Sequence, residues 1–362
     1  MFQSNKKNTE KVCIQKSTYQ DINLESLLKP LDGIKNYVSK DEKVLLKVNL
    51  LNATKPEKAV VTNPVLVKKT AELVIEAGGI PYIGDSPSGQ FIKGRLRRVY
   101  KKSGLQKISN ELGIQLNYDT KTSKIQIPSG KKLKETVICN FVKKADKIIA
   151  LPKIKTHSYM TMTLAIKHMF GIIPGLTKAK YHSFFLRRNS FADMLIDVHF
   201  IVPPNLIIMD GIIGMQGEGP SGGNPVNLGI ILASENAIAL DIAICNILNI
   251  EPVGIPVLKQ AKIRGLWPKQ ITYPQLKPQD VKHDSFILPS TANYILTGKK
   301  TPSKSPVVTS LCTSCGMCQE ICPKHAIINT STIAKINYPK CIRCYCCHEI
   351  CPEKAIALKE RR

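Results

Sequence analysis

Eight cysteines near the C-terminal end of the chain form two identical runs whose spacing is that of cluster ligands. The first run is Cys-x2-Cys-x2-Cys-x3-Cys-Pro from Cys312 to Pro323, and the same pattern returns from Cys341 to Pro352. Such close spacing wraps a short loop of thiolates around one iron-sulfur cubane, and the proline turns the chain away after the last ligand. The duplicated pattern therefore predicts two [4Fe-4S] clusters, which would carry electrons.

The ligands of the two clusters are predicted to cross between the runs. In bacterial two-cluster ferredoxins, the fourth cysteine of each run binds the cluster of the other run. One predicted ligand set is therefore Cys312, Cys315, Cys318 and Cys351. The other predicted set is Cys341, Cys344, Cys347 and Cys322.

Other uses of these cysteines fit the pattern less well. Zinc sites use pairs of cysteines or mixed cysteine and histidine sets, and disulfide frameworks belong to small secreted chains. One irregularity is Cys346, which adjoins Cys347 and could compete with Cys344 for a place on the second cluster. The alternative interpretation is that Cys346 is a spare thiol packed against the module.

Polar side chains also stand at the ends of two predicted strands. The apolar run 44–50 predicts a buried strand that contains Lys47, and the run 80–84 predicts a second strand that leads to Asp85 and Ser86. A capped helix lies between them, so the three elements predict a βαβ unit of a parallel sheet. Ligands in such sheets bind beyond the carboxyl ends of the strands. Lys47 and Ser86 are therefore candidate binding residues and Asp85 is a candidate catalytic residue, with a plain turn as the alternative for Asp85 and Ser86.

A basic segment follows a later predicted strand. Lys153, Lys155 and His157 are predicted to lie in a loop after that strand, and a helix is predicted over 160–170 with Lys167 near its end. A cation near the end of a helix suits the helix dipole, which is the structural interpretation of Lys167. The functional interpretation is that Lys155, His157 and Lys167 bind an anion or place a proton donor.

Two carboxylates flank a glycine-rich segment farther along the chain. A strand predicted over 205–210 ends at Asp210, and the segment 211–225 that follows contains Glu218. This segment matches neither the Walker A motif nor the dinucleotide-binding fingerprint. Glycines let the backbone approach a ligand or another backbone closely. Asp210 and Glu218 are candidates for binding a metal or moving protons.

Two charged helices are predicted to turn their charges toward solvent. The helix predicted over 93–111 is strongly basic, and the helix predicted over 191–202 carries Asp193 and Asp197 on one face. An acid/base pair of the two carboxylates is the alternative, but a solvated face is the prediction.

Four segments of the chain resemble the DUF362 family. In chain order they are VLLKVNL, GDSP, LPKIKTHSYMTMTLAIKHMFGIIPG and MDGIIGMQGEGPSG. The tail with RCYCCHEICP is similar to the two-cluster tail that many members carry. The resemblance covers about residues 40–250 and 308–358, and it implies a fold region and a site but no particular reaction. It places five candidates in the most recognisable segments, namely Lys155, His157, Lys167, Asp210 and Glu218. It also leads us to expect Asn where His168 stands, so this chain departs from the family pattern there.

Composition and targeting signals bound the type of protein. The chain has 362 residues with 43% hydrophobic content, which is typical of a globular protein with a real core. No apolar run is long enough for a transmembrane helix, and the polar N-terminal segment lacks a secretory signal. Most of the twelve cysteines have cluster spacing. These features predict a cytoplasmic protein without membrane contact, because thiols persist in a reducing compartment.

The formal charge of +25 bears on the partners of the protein. A lysine-rich solvated surface is the simplest interpretation. Attraction to an acidic redox protein, such as a ferredoxin or flavodoxin, or to an anionic small molecule is the functional one. Binding to nucleic acid has no supporting motif, since helix-turn-helix, zinc-finger and RNP patterns are all missing from the sequence.

The sequence as a whole predicts an α/β domain with a mostly parallel sheet flanked by helices over residues 1–296. A linker follows over 297–307, and an α+β ferredoxin-like module of βαββαβ order occupies 308–362. The leading functional hypothesis is an iron-sulfur oxidoreductase that passes electrons to or from an anionic substrate in the α/β domain, where any further cofactor is unknown. The alternative hypothesis is a non-enzymatic electron carrier or assembly factor whose α/β domain binds a partner protein.

Overall fold

A computed structural model describes residues 9–292, 296 and 304–360 of the chain. Its strands are β1 (Thr9–Lys11), β2 (Cys13–Lys16), β3 (Lys43–Val48), β4 (Ile80–Gly84), β5 (Gln115–Leu116), β6 (Thr122–Gln126), β7 (Glu135–Cys139), β8 (Lys147–Leu151), β9 (Lys153–His157), β10 (Thr161–Thr163), β11 (Leu206–Gln216), β12 (Asn224–Ser234), β13 (Gln270–Thr272), β14 (Ser305–Val308), β15 (Ile327–Ile328), β16 (Lys335–Ile336) and β17 (Ile356–Lys359). Its helices are α1 (Leu24–Leu28), α2 (Pro64–Glu76), α3 (Lys93–Lys102), α4 (Leu105–Leu112), α5 (Ala165–His168), α6 (Gly175–Phe184), α7 (Arg188–His199), α8 (Ala237–Ile247), α9 (Pro256–Ile263), α10 (Met317–Ile321) and α11 (Cys346–Ile350). Within the described ranges, no helix has the length and apolar character needed to cross a bilayer.

A nine-stranded sheet forms the centre of the first domain, with the order β10-β9-β11-β8-β3-β4-β5. Strand β12 pairs with both β11 and β2 on a branch of this sheet. Four central strand pairs are parallel, namely β3 with β4, β3 with β8, β11 with β8 and β11 with β9. The predicted α/β class with a mostly parallel sheet flanked by helices is therefore confirmed.

Strand β3 shows why this sheet is buried on both faces. Val44, Leu46 and Val48 pack into the core under helices α1 to α4, whereas Leu45 packs into the core on the opposite face. Alternate side chains of a strand point to opposite faces, so a continuous apolar run suits a strand covered on both sides. Lys47 lies on the Leu45 face and is the polar exception, at the carboxyl end of the strand.

Two local predictions in the basic segment are wrong, and one predicted helix earlier in the chain is divided. The predicted loop 153–157 is the buried strand β9, and most of the predicted helix 160–170 is replaced by β10, a connection and the short helix α5. Strand β10 pairs antiparallel with β9, so sheet pairing outweighs the local helix preference. The predicted helix 93–111 is divided into α3 and α4 at Gly104, whose φ of 81° does not belong to a right-handed helix.

The predicted solvated face of Asp193 and Asp197 is buried instead. Asp197 Oδ2 accepts hydrogen bonds from the backbone N–H groups of Lys132 and Leu133, at 2.6 and 2.9 Å. Its Oδ1 lies 2.9 Å from the guanidinium of Arg264, and Asp193 faces Lys131 at 3.2 Å. Both carboxylates therefore hold distant segments together.

The C-terminal module has the predicted βαββαβ order of β14, α10, β15, β16, α11 and β17. Strand β14 pairs antiparallel with β17, which closes the module on itself. Residues 297–303 of the predicted linker lie outside the described residues, whereas Ser305 and the next two residues belong to β14. The first strand of the module thus begins inside the range predicted as linker.

Candidate functional site

The eight cluster cysteines line two separate cavities in the C-terminal module, each of about 350 Å³ counting its opening to solvent. The first cavity is lined by Cys312, Cys315, Cys318 and Cys351. The second is lined by Cys322, Cys341, Cys344 and Cys347, with Cys346 beside them. Each quartet joins three cysteines of one run to the fourth of the other, around a mostly apolar space. This donor set fits the thiolate coordination of an iron-sulfur cubane.

The backbone around the two cavities repeats as closely as the sequence does. Cys322 Sγ accepts a hydrogen bond from the N–H of Ala326 at 3.2 Å, and Cys351 Sγ accepts one from Ala355 at 3.3 Å. Hydrogen bonds to the sulfurs help to set the reduction potential of a cluster. Positive φ angles also fall at equivalent positions of the two runs, in the pairs Ser314 and Arg343, Gly316 and Tyr345, and His325 and Lys354.

A third cavity, of about 710 Å³ counting its mouth, lies at the carboxyl edge of the central sheet. One wall comes from strand ends and from helices α5 and α6, and the opposite wall comes from helices α10 and α11 of the C-terminal module. Its ionisable and hydroxyl-bearing side chains are Lys47, Asp85, Ser86, Ser88, Lys155, Thr163, Lys167, His168, Lys178, His182, Cys346 and Glu349. We call this space the inter-domain cavity.

A buried ion pair forms the floor of the inter-domain cavity. Lys47 Nζ lies 2.8 Å from Asp85 Oδ1, and Asp85 Oδ2 accepts a hydrogen bond from the N–H of Leu50 at 2.6 Å. Burial lowers the pKa of Lys47, and the carboxylate of Asp85 opposes that shift. The pair fits beneath Gly171, because a Cβ at that residue would lie 2.5 Å from Lys47 Nζ and would also collide with Asp85.

Three further lysines line the cavity without a carboxylate within 4 Å among the described residues, namely Lys155, Lys167 and Lys178. Lys155 Nζ donates to the carbonyl of Val60 at 2.9 Å, and Lys178 Nζ donates to the carbonyl of Ser86. Burial lowers the pKa of Lys155 to about 7, with Lys167 adding to the shift, and lowers the pKa of Lys178 to about 8. A bound anion would offset this cost of burying ammonium groups.

His157 and Glu349 meet at the edge of this cavity. His157 Nδ1 accepts from the N–H groups of Tyr159 and Met160, so the neutral imidazole carries its proton on Nε2. That Nε2 lies 3.3 Å from Glu349 Oε1. Burial and the charge of Lys167 hold the pKa of His157 well below its usual range, whereas burial raises the pKa of Glu349 to about 7. The two atoms are in contact at this distance, although neither forms a hydrogen bond with any described residue.

The structure separates the remaining two candidates from the cavity. Asp210 forms an ion pair with Lys153 at 2.8 Å and accepts hydrogen bonds from the Tyr19 hydroxyl and from the N–H of Asn63. Glu218 accepts from the N–H of Ser290 at 2.7 Å. Among the described residues, no three His, Cys, Asp or Glu side chains gather closely enough to hold a single metal ion.

The glycine-rich segment joins the domain to the module. Ser221 Oγ donates to the carbonyl of Glu349 at 2.6 Å, and Lys354 Nζ donates to the carbonyl of Gly223 at 3.0 Å. A Cβ at Gly222 would lie 2.7 Å from the carbonyl of Glu218. The expected close approach of backbone is observed here within the segment, and a Cβ at Gly222 would also lie 3.2 Å from the His348 ring of the module.

Five predicted site residues therefore line one cavity, which are Lys47, Asp85, Ser86, Lys155 and Lys167. His157 adjoins this cavity through Glu349. Sequence reasoning missed Lys178, His182 and Glu349 as site residues. Lys178 and His182 lie on helix α6, and Glu349 carries no signal apart from lying between two cluster cysteines.

Comparisons with known proteins match both parts of the chain. The family model described as "Domain of unknown function (DUF362)" matches residues 44–246, and the model described as "4Fe-4S binding domain" matches residues 306–328. The "Thylakoid-associated protein sll1697" of Synechocystis sp. (strain ATCC 27184 / PCC 6803 / Kazusa) is 34% identical over 275 residues, which cover 74% of this chain and 82% of that protein.

Two solved structures show a weaker likeness. The lactate racemase apoprotein from Thermoanaerobacterium thermosaccharolyticum has a TM-score of 0.38 at 15% identity, over 64% of this chain and 55% of that one. A protein from Thermotoga maritima has a TM-score of 0.36 at 11% identity, over 62% of this chain and 57% of its own. This chain thus spans little more than half the length of either structure.

Proposed function

Since the chain belongs to the DUF362 family and carries a 4Fe-4S binding domain, we propose that it is an iron-sulfur oxidoreductase with two [4Fe-4S] clusters. The substrate or cofactor is a small anion that binds in the inter-domain cavity. The observation that carries the proposal is the wall that this cavity shares with the cluster module. Ile321 and Cys346 line the cavity, and each is the immediate neighbour of a predicted cluster ligand, Cys322 or Cys347.

The charge of the cavity supports an anionic ligand. Lys47 is neutralised by Asp85, and Glu349 is the other carboxylate in the lining. Lys155, Lys167 and Lys178 therefore outnumber the acid that remains. Burying an ammonium group without a counter-ion costs free energy. An anion that pairs with these lysines removes part of that cost, and this contributes to its binding affinity. A carboxylate or phosphate is the ligand class that this lining suits.

The side chains around the cavity have separate tasks in this proposal. The clusters supply electrons singly when bound. Lys155, Lys167 and Lys178 hold the anion, and the Lys47–Asp85 pair fixes the end of β3 beside it. The His157 Nε2 and Glu349 Oε1 atoms hold a proton at the rim, and the walls from both domains exclude bulk water. Three free, buried cysteines outside the module, Cys13, Cys139 and Cys245, support a reducing compartment such as the cytoplasm.

The test uses the anaerobically reconstituted full chain. The clusters are reduced with dithionite, excess reductant is removed, and a panel of small carboxylates and phosphates is added while visible absorbance follows cluster reoxidation. We expect one class of anion to reoxidise the clusters and to be converted to a reduced product that mass spectrometry detects. Lys167→Met should slow this reaction at least about tenfold without loss of iron, because it removes a cation that touches the anion.

A matched control is Lys35→Met, which removes an exposed lysine that does not line the cavity. It should leave reoxidation unchanged. If no anion reoxidises the clusters and Lys167→Met behaves like the control, the oxidoreductase proposal fails. The chain would then be an electron carrier or assembly factor whose α/β domain binds a partner protein.

A further inference from the structure

An open basic groove of about 1380 Å³ lies beside the second cluster loop, outside the inter-domain cavity. Its charged side chains are Lys131, Lys132, Arg187, Arg188, Arg343 and Asp193. The single acid, Asp193, faces Lys131 at 3.2 Å, so the groove retains a strong positive charge. Lys132, Arg187 and Arg343 are exposed at its surface.

The same short loop of the module borders both the groove and the inter-domain cavity. Ile342, Arg343 and Tyr345 line the groove, whereas Cys346 lines the cavity. These residues alternate with the cluster cysteines Cys341, Cys344 and Cys347 in the sequence. The second cluster quartet therefore lies between an outer basic surface and an inner basic cavity.

An aromatic layer separates the two spaces. The Tyr159 ring lies 6.5 Å from that of Tyr345 and 5.3 Å from that of His182, measured between centroids. Arg188 is fixed over this layer, since its guanidinium lies 5.3 Å from the Tyr159 ring centroid and its Nε donates to the Tyr159 carbonyl at 3.1 Å. Tyr159 and Tyr345 of this layer line the groove, and His182 lines the cavity.

We propose that this groove is the docking surface for an acidic redox protein that delivers electrons to the second cluster. The proposal rests on the oxidoreductase function above and adds the place where its electrons enter. Charge complementarity favours the acidic protein, because a patch of one sign steers an oppositely charged partner and fixes its orientation. Proximity to the cluster loop favours a redox protein over nucleic acid, which would gain nothing from lying against Cys341 and Cys344.

The test measures electron transfer from reduced flavodoxin, an acidic protein whose flavin absorbance can be followed separately from that of the clusters. Each transfer oxidises the anionic flavin hydroquinone by one electron to the neutral semiquinone, with no net proton release, and reduces one cluster by one electron. Stopped-flow mixing under anaerobic conditions gives the second-order rate constant at several salt concentrations. The variant Lys132→Glu/Arg187→Glu reverses two exposed charges in the groove. The matched control, Lys35→Glu/Lys40→Glu, makes the same change of net charge at two exposed lysines that do not line the groove.

We expect the groove variant to accept electrons at least about tenfold more slowly than the wild type at low salt, with a weaker salt dependence. The control should stay within about twofold of the wild type. Dithionite should reduce both variants fully, which shows that the clusters are intact. Equal rates for the groove variant and the control would overturn the docking proposal.

Two other outcomes have distinct meanings. If the groove variant loses binding to a labelled single-stranded oligonucleotide but keeps the wild-type transfer rate, the groove binds nucleic acid and the proposal is wrong. If flavodoxin reduces the wild type through the groove but no anion then reoxidises the clusters, docking stands and the proposed oxidoreductase function fails.

Discussion

The imidazole Nε2 of His157 lies 3.3 Å from Oε1 of Glu349, which brings the central sheet into contact with the cluster module. The ring belongs to β9 and the carboxyl group to α11, within the second cysteine run. Each of the two residues, taken whole, is at least nine-tenths buried. Their contact couples the position of the sheet edge to the position of the loop that holds the second cluster.

The first prediction removes this contact. His157→Ala leaves a gap and deprives the buried Glu349 carboxyl of its neighbouring ring, so stability should fall by about 1–3 kcal/mol. Denaturant unfolding of the reconstituted protein gives the loss. His283→Ala, at a half-buried histidine away from the cavity, is the control and should cost less. Equal losses in the two variants would show that the contact contributes nothing of its own.

The second prediction concerns the Lys47–Asp85 pair. Asp85→Asn keeps the volume of the side chain but leaves the Lys47 ammonium buried without a counter-charge, which should cost about 3–5 kcal/mol. The comparison is Glu135→Gln, which breaks the exposed pair with Lys124 and should cost less than about 1 kcal/mol. Urea unfolding measures both. A small effect at Asp85 would mean that water reaches the pair or that Lys47 is neutral.

The third prediction tests the space above that pair. Gly171→Ala places a methyl group against Lys47 Nζ and the Asp85 carboxylate, so we expect a loss of about 1–3 kcal/mol and weaker binding of the anion. Gly94→Ala is a favourable control, because nothing lies within 4 Å of a Cβ at this helical residue. It should stabilise α3 by roughly 0.5–1 kcal/mol. Thermal unfolding that ranks the two variants in the opposite order would contradict this account.

The fourth prediction assigns Cys346. Its equivalent in the first run is Met317, and Cys346 packs with Ala179 and Ile350 beside the cavity, so we expect it to be a spare thiol. Cys346→Ser should retain about eight iron per chain, as two cubanes require. Cys347→Ser should lose about four iron. Iron analysis after anaerobic reconstitution decides the matter, and a loss of about four iron from Cys346→Ser would make Cys346 a ligand.

The fifth prediction concerns pH. Burial lowers the pKa of Lys155 from 10.5 to about 7, so between these values the unfolded chain binds a proton that the folded chain does not. Stability should therefore rise with pH across this window, by up to about 1.4 kcal/mol per pH unit from this group. Lys155→Met should remove that part of the slope, whereas Lys35→Met should keep it. Unfolding curves at pH 7 and above give the slopes, and parallel curves for wild type and Lys155→Met would refute the prediction.

The sequence by itself predicted which cysteines gather around each of the two cavities in the module, because a cubane takes its thiolates from short loops whose spacing can be counted. It also determined strands β3 and β4 and the cap of α2. In the two strands, the local apolar pattern agrees with the tertiary fold. At the helix, the Asn63 side chain accepts a hydrogen bond from the N–H of Val65, as the cap requires. The convergence of Lys47, Asp85 and Lys155 followed from a general property of parallel sheets.

Only the tertiary structure decided which other residues share the cavity. The sequence predicts a loop over Lys153, Lys155 and His157 because they follow a strand, whereas the structure buries them in β9. Their burial depends on partners such as Asp210 and Glu349. Those partners are supplied by distant strands and by the second domain. No local pattern encodes a contact between residues 157 and 349, since it arises from how parts of the chain that are distant in sequence pack together. The spacing of residues that are close in the chain can be read from the sequence. Contacts between polar groups that are distant in the chain depend on the complete tertiary fold.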